Sequence, residues 1–202
     1  MGTMLRFPVL ILSLCLAAPA LAQSPQDLMS PPADVSKVGH GGQHYNLDTL
    51  FSGLKIAPDD ASAKAIEDRI WAIWIASGSD TCNLLMGRVK AATDGKDFDL
   101  AIKLLDAVIA LRPGYAEAWN RRATVYYLKQ DYGHAIADIA EVLKREPRHF
   151  GALSGLGMML QDIGDEKHAL EAYRKALDID PRLDNLSDTV KTLSEKVEGR
   201  AI

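Results

Sequence analysis

The chain has 202 residues, of which 48% are hydrophobic and 25% are charged, and its formal net charge at pH 7 is -4. That length and apolar content are enough for one well-packed domain. A mildly acidic chain with mixed charges argues against nucleic acid as the main partner.

The first 22 residues have the organisation of a secretory signal peptide. Arg6 precedes the apolar run FPVLILSLCLAA, and the small-x-small triplet Ala20-Leu21-Ala22 predicts cleavage before Gln23. The run is too short to span a bilayer comfortably, although an uncleaved anchor is the alternative interpretation. We therefore expect residues 1–22 to be removed and the protein to be exported. The pattern is typical of a bacterial protein of the periplasm. After cleavage, we expect no membrane-spanning segment.

Residues 23–45 are rich in proline, glycine and serine and lack apolar periodicity, which predicts a flexible linker. His40 and His44 have a spacing that could bind a metal ion on a helix. The intervening Gly41-Gly42 disfavours a helix, and no cysteine or acidic cluster accompanies the two histidines. We predict neither a metal site nor a cofactor.

Residues 46–80 are expected to form two helices. Apolar residues in the second half of the segment follow a helical stripe with charged residues between them. The stripe consists of Ala65, Ile66, Ile70, Ile73 and Trp74. Because the segment lacks the residue pattern found farther along the chain, we interpret it as a degenerate repeat or an N-terminal cap.

A period of 34 residues organises the chain from about residue 81 to residue 181. Six sets of similar residues recur at this spacing over three copies, and each copy contains two helically spaced apolar blocks around a short polar turn. The sets are Leu85, Trp119 and Leu153; Val89, Ala123 and Gly157; Ala101, Ala135 and Ala169; Leu105, Ile139 and Tyr173; Val108, Val142 and Ala176; and Pro113, Pro147 and Pro181. The pattern predicts helix–turn–helix units at 82–115, 116–149 and 150–181, and an amphipathic capping helix within 182–202.

These units resemble the tetratricopeptide repeat (TPR), a helix–turn–helix unit of 34 residues. The matching residues are Trp119, Ala123, Tyr126, Ala135, Ile139, Val142 and Pro147 in the second copy, and Leu153, Gly157, Leu160, Ala169, Tyr173, Ala176 and Pro181 in the third. The first copy matches less well, because Val89 and Ala92 replace the usual small and aromatic residues. The resemblance implies an all-α fold, a right-handed α-solenoid, in which small residues allow close helix contact and each proline ends a unit.

The stretch EPRHFGALSGLGMMLQDIGD, residues 146–165, looks at first like a catalytic or phosphate-binding loop. Ser154 lacks the Gly-x-Ser-x-Gly context of a nucleophile elbow, and the glycines follow no predicted strand. The three histidines His134, His149 and His168 lie in separate places and are expected to face solvent. The stretch is interpreted as packing, and the protein as a non-enzyme without a small-molecule substrate.

The repeat alignment also predicts one charged pair. Arg122 occupies a column held by Leu156 in the next copy, so it should point partly inward, and Asp138 should face it from the partner helix. Breaking a partly buried pair leaves an unpaired charge and is strongly destabilising. The alternative is that Arg122 extends to solvent.

The family resemblance implies a concave surface lined by the first helix of each unit. Its residues would be Asn83, Met86, Lys90, Glu117, Asn120, Thr124, Tyr127, Ser154, Met158 and Gln161. Some family members grip a partner's C-terminal carboxylate with a clamp of lysine, asparagine and arginine. Here Met86, Gly151 and Gly155 stand in clamp columns that need a cation, so the groove is expected to bind an internal peptide segment instead.

The leading functional hypothesis is an exported scaffold that binds another envelope protein or peptide segment. The alternative is a thiol-linked accessory factor in envelope protein or cytochrome maturation, which would use Cys82, the one cysteine left after signal removal. That hypothesis requires an exposed thiol, whereas a lone cysteine is more commonly a small buried hydrophobe. The oligomeric state is left open.

Overall fold

A computed structural model describes residues 46–183 and 186–199. The predicted signal peptide and linker lie outside these ranges. The described residues form an all-α structure, as expected, with helices α1 Leu47–Lys55, α2 Asp60–Ile75, α3 Asp80–Asp94, α4 Phe98–Leu111, α5 Ala116–Leu128, α6 Tyr132–Arg145, α7 Phe150–Asp162, α8 Glu166–Ile179 and α9 Leu186–Val197. In this part of the chain we find no helix that is both long and apolar enough to cross a membrane.

The three helix pairs α3–α4, α5–α6 and α7–α8 share one turn chemistry. The second helix of each pair is N-capped by an aspartate, Asp97, Asp131 or Asp165, whose side chain accepts a backbone N–H three residues later. The preceding residue has positive φ in every copy, at Lys96, Gln130 and Gly164. The amide of each capping aspartate donates to a carbonyl five residues earlier, which satisfies the end of the first helix.

Small residues allow the paired helices to approach closely. Ala101, Ala135 and Ala169 on the second helices are completely buried, as is Ala123 on α5. A Cβ atom added to Gly157 would lie 2.4–2.8 Å from ring atoms of Tyr173. The tyrosine ring therefore fills the space that any other residue at position 157 would need.

The predicted Arg122–Asp138 pair is present between α5 and α6. Arg122 donates through Nε and Nη2 to the two carboxylate oxygens of Asp138, at 2.7 and 2.8 Å. Its third contact, from Nη1 to Asp106 at 2.6 Å, ties α5 to α4 of the preceding unit. The guanidinium also lies 4.9 Å from the centre of the Trp119 ring. Arg122 thus links two units as well as two helices.

Helices α1 and α2 form a hairpin that does not lie where an N-terminal cap would. It packs against α5 and α8, while Leu84 and Leu100 on the first unit stay 68% and 44% exposed. The hairpin lies along the edge where successive units join. Its apolar residues pack there against Phe150, Ile179 and Leu183 of the units.

Helix α9 packs along α8. Leu186 and Leu193 are buried in the core of the third unit. Arg174 on α8 forms a two-pronged ion pair with Glu198. An amphipathic helix at this place shields the apolar end of the last unit from water.

Candidate peptide-binding groove

The structure divides the residues expected on the concave surface into two groups. Glu117, Asn120 and Ser154 are completely buried, and Thr124 and Met158 are nearly so. Asn83, Lys90 and Gln161 are exposed, and Met86 and Tyr127 are partly exposed. The first group lies on the two helices, α5 and α7, next to which the α1–α2 hairpin packs.

An aromatic cluster joins α2 to the start of α7. The His149 ring stacks on Trp74 with 4.0 Å between centroids and 10° between planes. Trp71 meets His149 and Phe150 edge-on, at 5.3 and 5.7 Å. Such contacts stabilise beyond the area that they bury. Phe150 consequently belongs to the core that the hairpin forms, and not to a core within the third unit.

The expectation that His149 faces solvent was wrong, whereas His134 and His168 are exposed. His149 is completely buried and is the N-cap of α7, where its Nδ1 accepts the Ala152 N–H at 3.1 Å. Since Nδ1 accepts a hydrogen bond, the ring proton lies on Nε2. Two features of the sequence could have indicated the burial: His149 directly precedes a helix, and it shares a 34-residue column with Tyr115 and Leu183.

That column contacts the hairpin at each of the three units. The Tyr115 hydroxyl donates to the Ile75 carbonyl at 2.6 Å, and Leu183 packs against the hairpin core. We call this surface the α2 seat and define it as Tyr115, Glu117, His149, Phe150, Ile179 and Leu183. It is an apolar and aromatic surface with one buried carboxylate.

Glu117 is the buried carboxylate of the α2 seat. It accepts hydrogen bonds from Arg121 Nε at 2.9 Å and from Asn120 Nδ2 at 3.1 Å. Burial alone would raise the pKa of Glu117, but the charge of Arg121, the neighbouring His149 and the hydrogen bond from Asn120 outweigh burial and hold the pKa below its ordinary value. Its Oε2 lies 3.8 Å from His149 Nε2, which is too long for a hydrogen bond.

Two arginines 34 residues apart fasten the hairpin from the rim of the seat. Arg148 donates to Asp48 at 2.6 Å. Arg182 donates to the carbonyls of Ala57 and Pro58 and to Asp60. Both aspartates are largely exposed, so each of these ion pairs contributes little on its own.

Comparisons with known proteins agree on the family. The family profile described as "Tetratricopeptide repeat" matches residues 87–141 and 129–183. A Rhizobium etli protein described as a TPR repeat-containing protein is 43% identical over 153 residues, which are 76% of this chain and 75% of that protein. The chain belongs to the TPR family. Small glutamine-rich tetratricopeptide repeat-containing protein 2 of Saccharomyces cerevisiae is 32% identical over 138 residues, covering 68% of this chain but 35% of that protein.

A solved structure shows the same fold at lower identity. It is the first TPR of Spaghetti (RPAP3) bound to the HSP90 peptide SRMEEVD, with a TM-score of 0.56 and 16% identity. The likeness covers 59% of this chain and 95% of that one. Two of the TPR columns in which a clamp would need a cation, Gly151 and Gly155, are buried glycines here. Neither residue can provide a positive charge for an acidic C-terminal peptide.

The accessible residues expected on the groove lie on α3 and in the C-terminal halves of α5 and α7, and we call this set the open part of the groove. It contains Met86 and Lys90 from α3, Tyr127 from α5 and Gln161 from α7. The Tyr127 hydroxyl donates to Asp162 at 2.9 Å, which fixes its ring across the two units. This part combines an adaptable thioether, an aromatic ring and hydrogen-bonding groups.

Cys82 does not meet the condition set by the thiol-linked hypothesis. Its side chain is completely buried in the core of the first unit, with Val89, Leu105 and Ala118. A nucleophilic or redox-active cysteine needs solvent access to meet its reaction partner. The residue is a packing residue of the first unit.

Proposed function

We propose that this TPR protein is a non-enzymatic scaffold that binds a segment of another protein through the open part of its groove. The observation that carries the proposal is the contrast between buried and exposed residues on the concave surface. Half of the expected residues are buried, while Met86, Lys90, Tyr127 and Gln161 remain accessible on three consecutive first helices. TPR domains with this fold include one solved with a bound peptide.

The chemistry of the open part favours an internal segment over a free C-terminus. Lys90 pairs with Asp94 at 2.6 Å, so its charge is already partly balanced. Amide and hydroxyl groups can hydrogen-bond a peptide backbone, and methionine adapts to side chains of different shape. The partner would therefore present a mixed polar and apolar segment.

We further propose that the scaffold works outside the cytoplasm and that its partner is an envelope protein. The support is the signal-peptide pattern of residues 1–22, with Arg6 before the apolar run and Ala20-Leu21-Ala22 after it. Mass spectrometry of the protein from its native host tests this directly. A mature N-terminus at Gln23 supports export, and an intact Met1 in the cytoplasmic fraction would contradict it.

The groove is tested by quantitative crosslinked affinity capture with three chains. One is the parent, one carries Met86→Ala and Tyr127→Ala, and the matched control carries Glu171→Ala on the exposed face of α8. A partner in the groove should be captured by the parent and the control and be lost with the double variant. Equal capture of the same proteins by all three chains, each with unchanged helical circular dichroism, would refute the groove as the binding surface.

A further inference from the structure

The α2 seat is a helix-binding surface that is already occupied within the chain. Trp71 and Trp74, one helical turn apart, rest on His149 and Phe150, and the Tyr115 hydroxyl binds the last carbonyl of α2. Glu117, which was expected on the peptide groove, is buried beside His149 at this place. The hairpin therefore covers part of the surface that TPR units expose for partners.

We propose that α2 is a displaceable occupant of the seat, and that the partner competes for it with an amphipathic helix carrying two aromatic side chains one turn apart. This inference deepens the proposed function and rests on it. The open part of the groove would make first contact with the partner. Displacement of α2 would then extend the binding surface toward the junctions between units.

The repeat units do not depend on the hairpin for their own cores. Among the described residues, the cores of the first unit and of the second and third units are built without any buried residue of α1 or α2. The link between the hairpin and the units is the short segment Ala76-Ser77-Gly78-Ser79, in which Gly78 has a φ of +67°. A hairpin on such a link can leave the seat while the solenoid remains folded.

The contact between α2 and the seat contains unsatisfied polar groups. Trp74 Nε1 and His149 Nε2 are buried with no hydrogen-bond partner in the described part of the chain. Each group gave up hydration without replacement, which weakens the contact. Glu67 on α2 also faces the buried Asp180, a carboxylate of like charge. A competing helix that satisfied His149 Nε2, and that brought neither an unpaired indole N–H nor a carboxylate next to Asp180, would have an advantage over α2.

The charges around the seat define the competing helix further. The seat contains the buried Glu117, and its rim carries Arg148 and Arg182, which bind Asp48 and Asp60 of the hairpin. An acidic tail inside the seat would be repelled, whereas aspartates at the edge of an aromatic helix would be bound. The partner helix thus resembles α2 itself: aromatic on one face, with an aspartate at its start that Arg182 can bind.

A labelled peptide with the sequence of α2, residues 60–75, tests the proposal by fluorescence anisotropy against the full chain. In the parent, the tethered hairpin has an effective concentration in the millimolar range, so micromolar peptide should bind poorly. In the variant Trp71→Ala/Trp74→Ala the seat is vacated, and affinity should rise about tenfold or more. The control Ile73→Ala, at a side chain that is 37% exposed, should behave as the parent.

The specificity of binding is tested with a second α2 peptide, in which both tryptophans are replaced by alanine. This second peptide should not bind the Trp71→Ala/Trp74→Ala protein. Equal binding of the two peptides, or no binding of either to a folded double variant, would overturn the proposal.

If the double variant does not fold, hydrogen exchange of the parent protein tests the proposal instead. The α2 amides should exchange faster than those of α5 and α7, and equal protection of all three helices refutes displacement. Neither measurement involves the captured partner, so each can fail while capture through Met86 and Tyr127 still succeeds.

Discussion

Glu67 should make docking of the hairpin dependent on pH. Its side chain is 12% exposed, and burial raises its pKa to about 7, with the nearby charge of Asp180 adding to the effect. Lys64, 3.3 Å away, opposes the rise but does not cancel it. Asp68 on α2 is another charged group of this contact, and the backbone N–H of Arg182 donates to Asp180. The protonated form of Glu67 is therefore favoured when α2 is docked.

The raised pKa fixes the sign of the effect. A carboxyl whose pKa is higher in the folded state contributes stability that is fully present below its ordinary pKa, 4.5, and is lost as the pH rises through about 7. The difference between the two pKa values corresponds to about 3 kcal/mol. Screening at this partly open contact should reduce the measurable change to about 1–2 kcal/mol.

The assay is urea unfolding at pH 5, 7 and 8.5, followed by tryptophan fluorescence, because Trp71 and Trp74 report on the hairpin. Glu67→Gln should make the first phase of unfolding less dependent on pH, by about 1–2 kcal/mol between pH 5 and 8.5 relative to the parent. Glu195→Gln, at an exposed position on α9, is the matched control. If Glu67→Gln and the control retain the same pH dependence as the parent, the reasoning about Glu67 and Asp180 is wrong.

Two further predictions concern the packing of the units. Gly157→Ala should destabilise the protein by about 1–3 kcal/mol in thermal or urea unfolding because the new Cβ overlaps the buried Tyr173 ring, whereas Gly87→Ala, with open space around it, should be neutral or stabilise by up to about 1 kcal/mol. Arg122→Met should cost about 3–5 kcal/mol because Asp138 stays buried without its partner. Adding Asp138→Leu should recover much of that loss; a double variant as unstable as the single one would contradict this account.

The repeat units could be predicted from the sequence because their contacts are local and periodic. Ala123, Gly157 and the Arg122–Asp138 pair occupy positions that the 34-residue alignment is sufficient to define. Each copy repeats the same turn, so three weak patterns support one another. The buried state of these residues follows from stacking alone.

The position of the hairpin could not be predicted in this way. Its contacts join residues 40 to 125 positions apart, such as Tyr115 with Ile75 and Arg182 with Ala57. No period relates the two sides of those contacts. The amphipathic stripe on α2 indicates a buried face but not the surface that buries it. One sequence feature does indicate the seat: Tyr115, His149 and Leu183 share a column of the 34-residue repeat. A histidine in a turn, however, is more simply interpreted as facing solvent.

The two roles of His149 can be separated by two substitutions. His149→Asn retains a side-chain acceptor for the Ala152 N–H but removes the ring that stacks on Trp74. The α2 amides should therefore lose protection in hydrogen exchange, while the first turn of α7 stays protected. His149→Phe retains an aromatic ring for Trp74 but removes the cap, so the first turn of α7 should lose about 0.5–2 kcal/mol of local stability.

Comparing the two variants shows which contact holds α2 on the seat, because the ring stack and the rim ion pairs predict different changes in amide protection. If the hairpin were held mainly by the rim ion pairs of Asp48 on α1 with Arg148 and of Asp60 on α2 with Arg182, both variants would leave the α2 amides equally protected, because neither substitution touches those pairs. If the ring stack holds α2, protection falls in His149→Asn and is largely kept in His149→Phe. Since exposed ion pairs contribute little and buried aromatic contacts contribute much, we expect the second outcome.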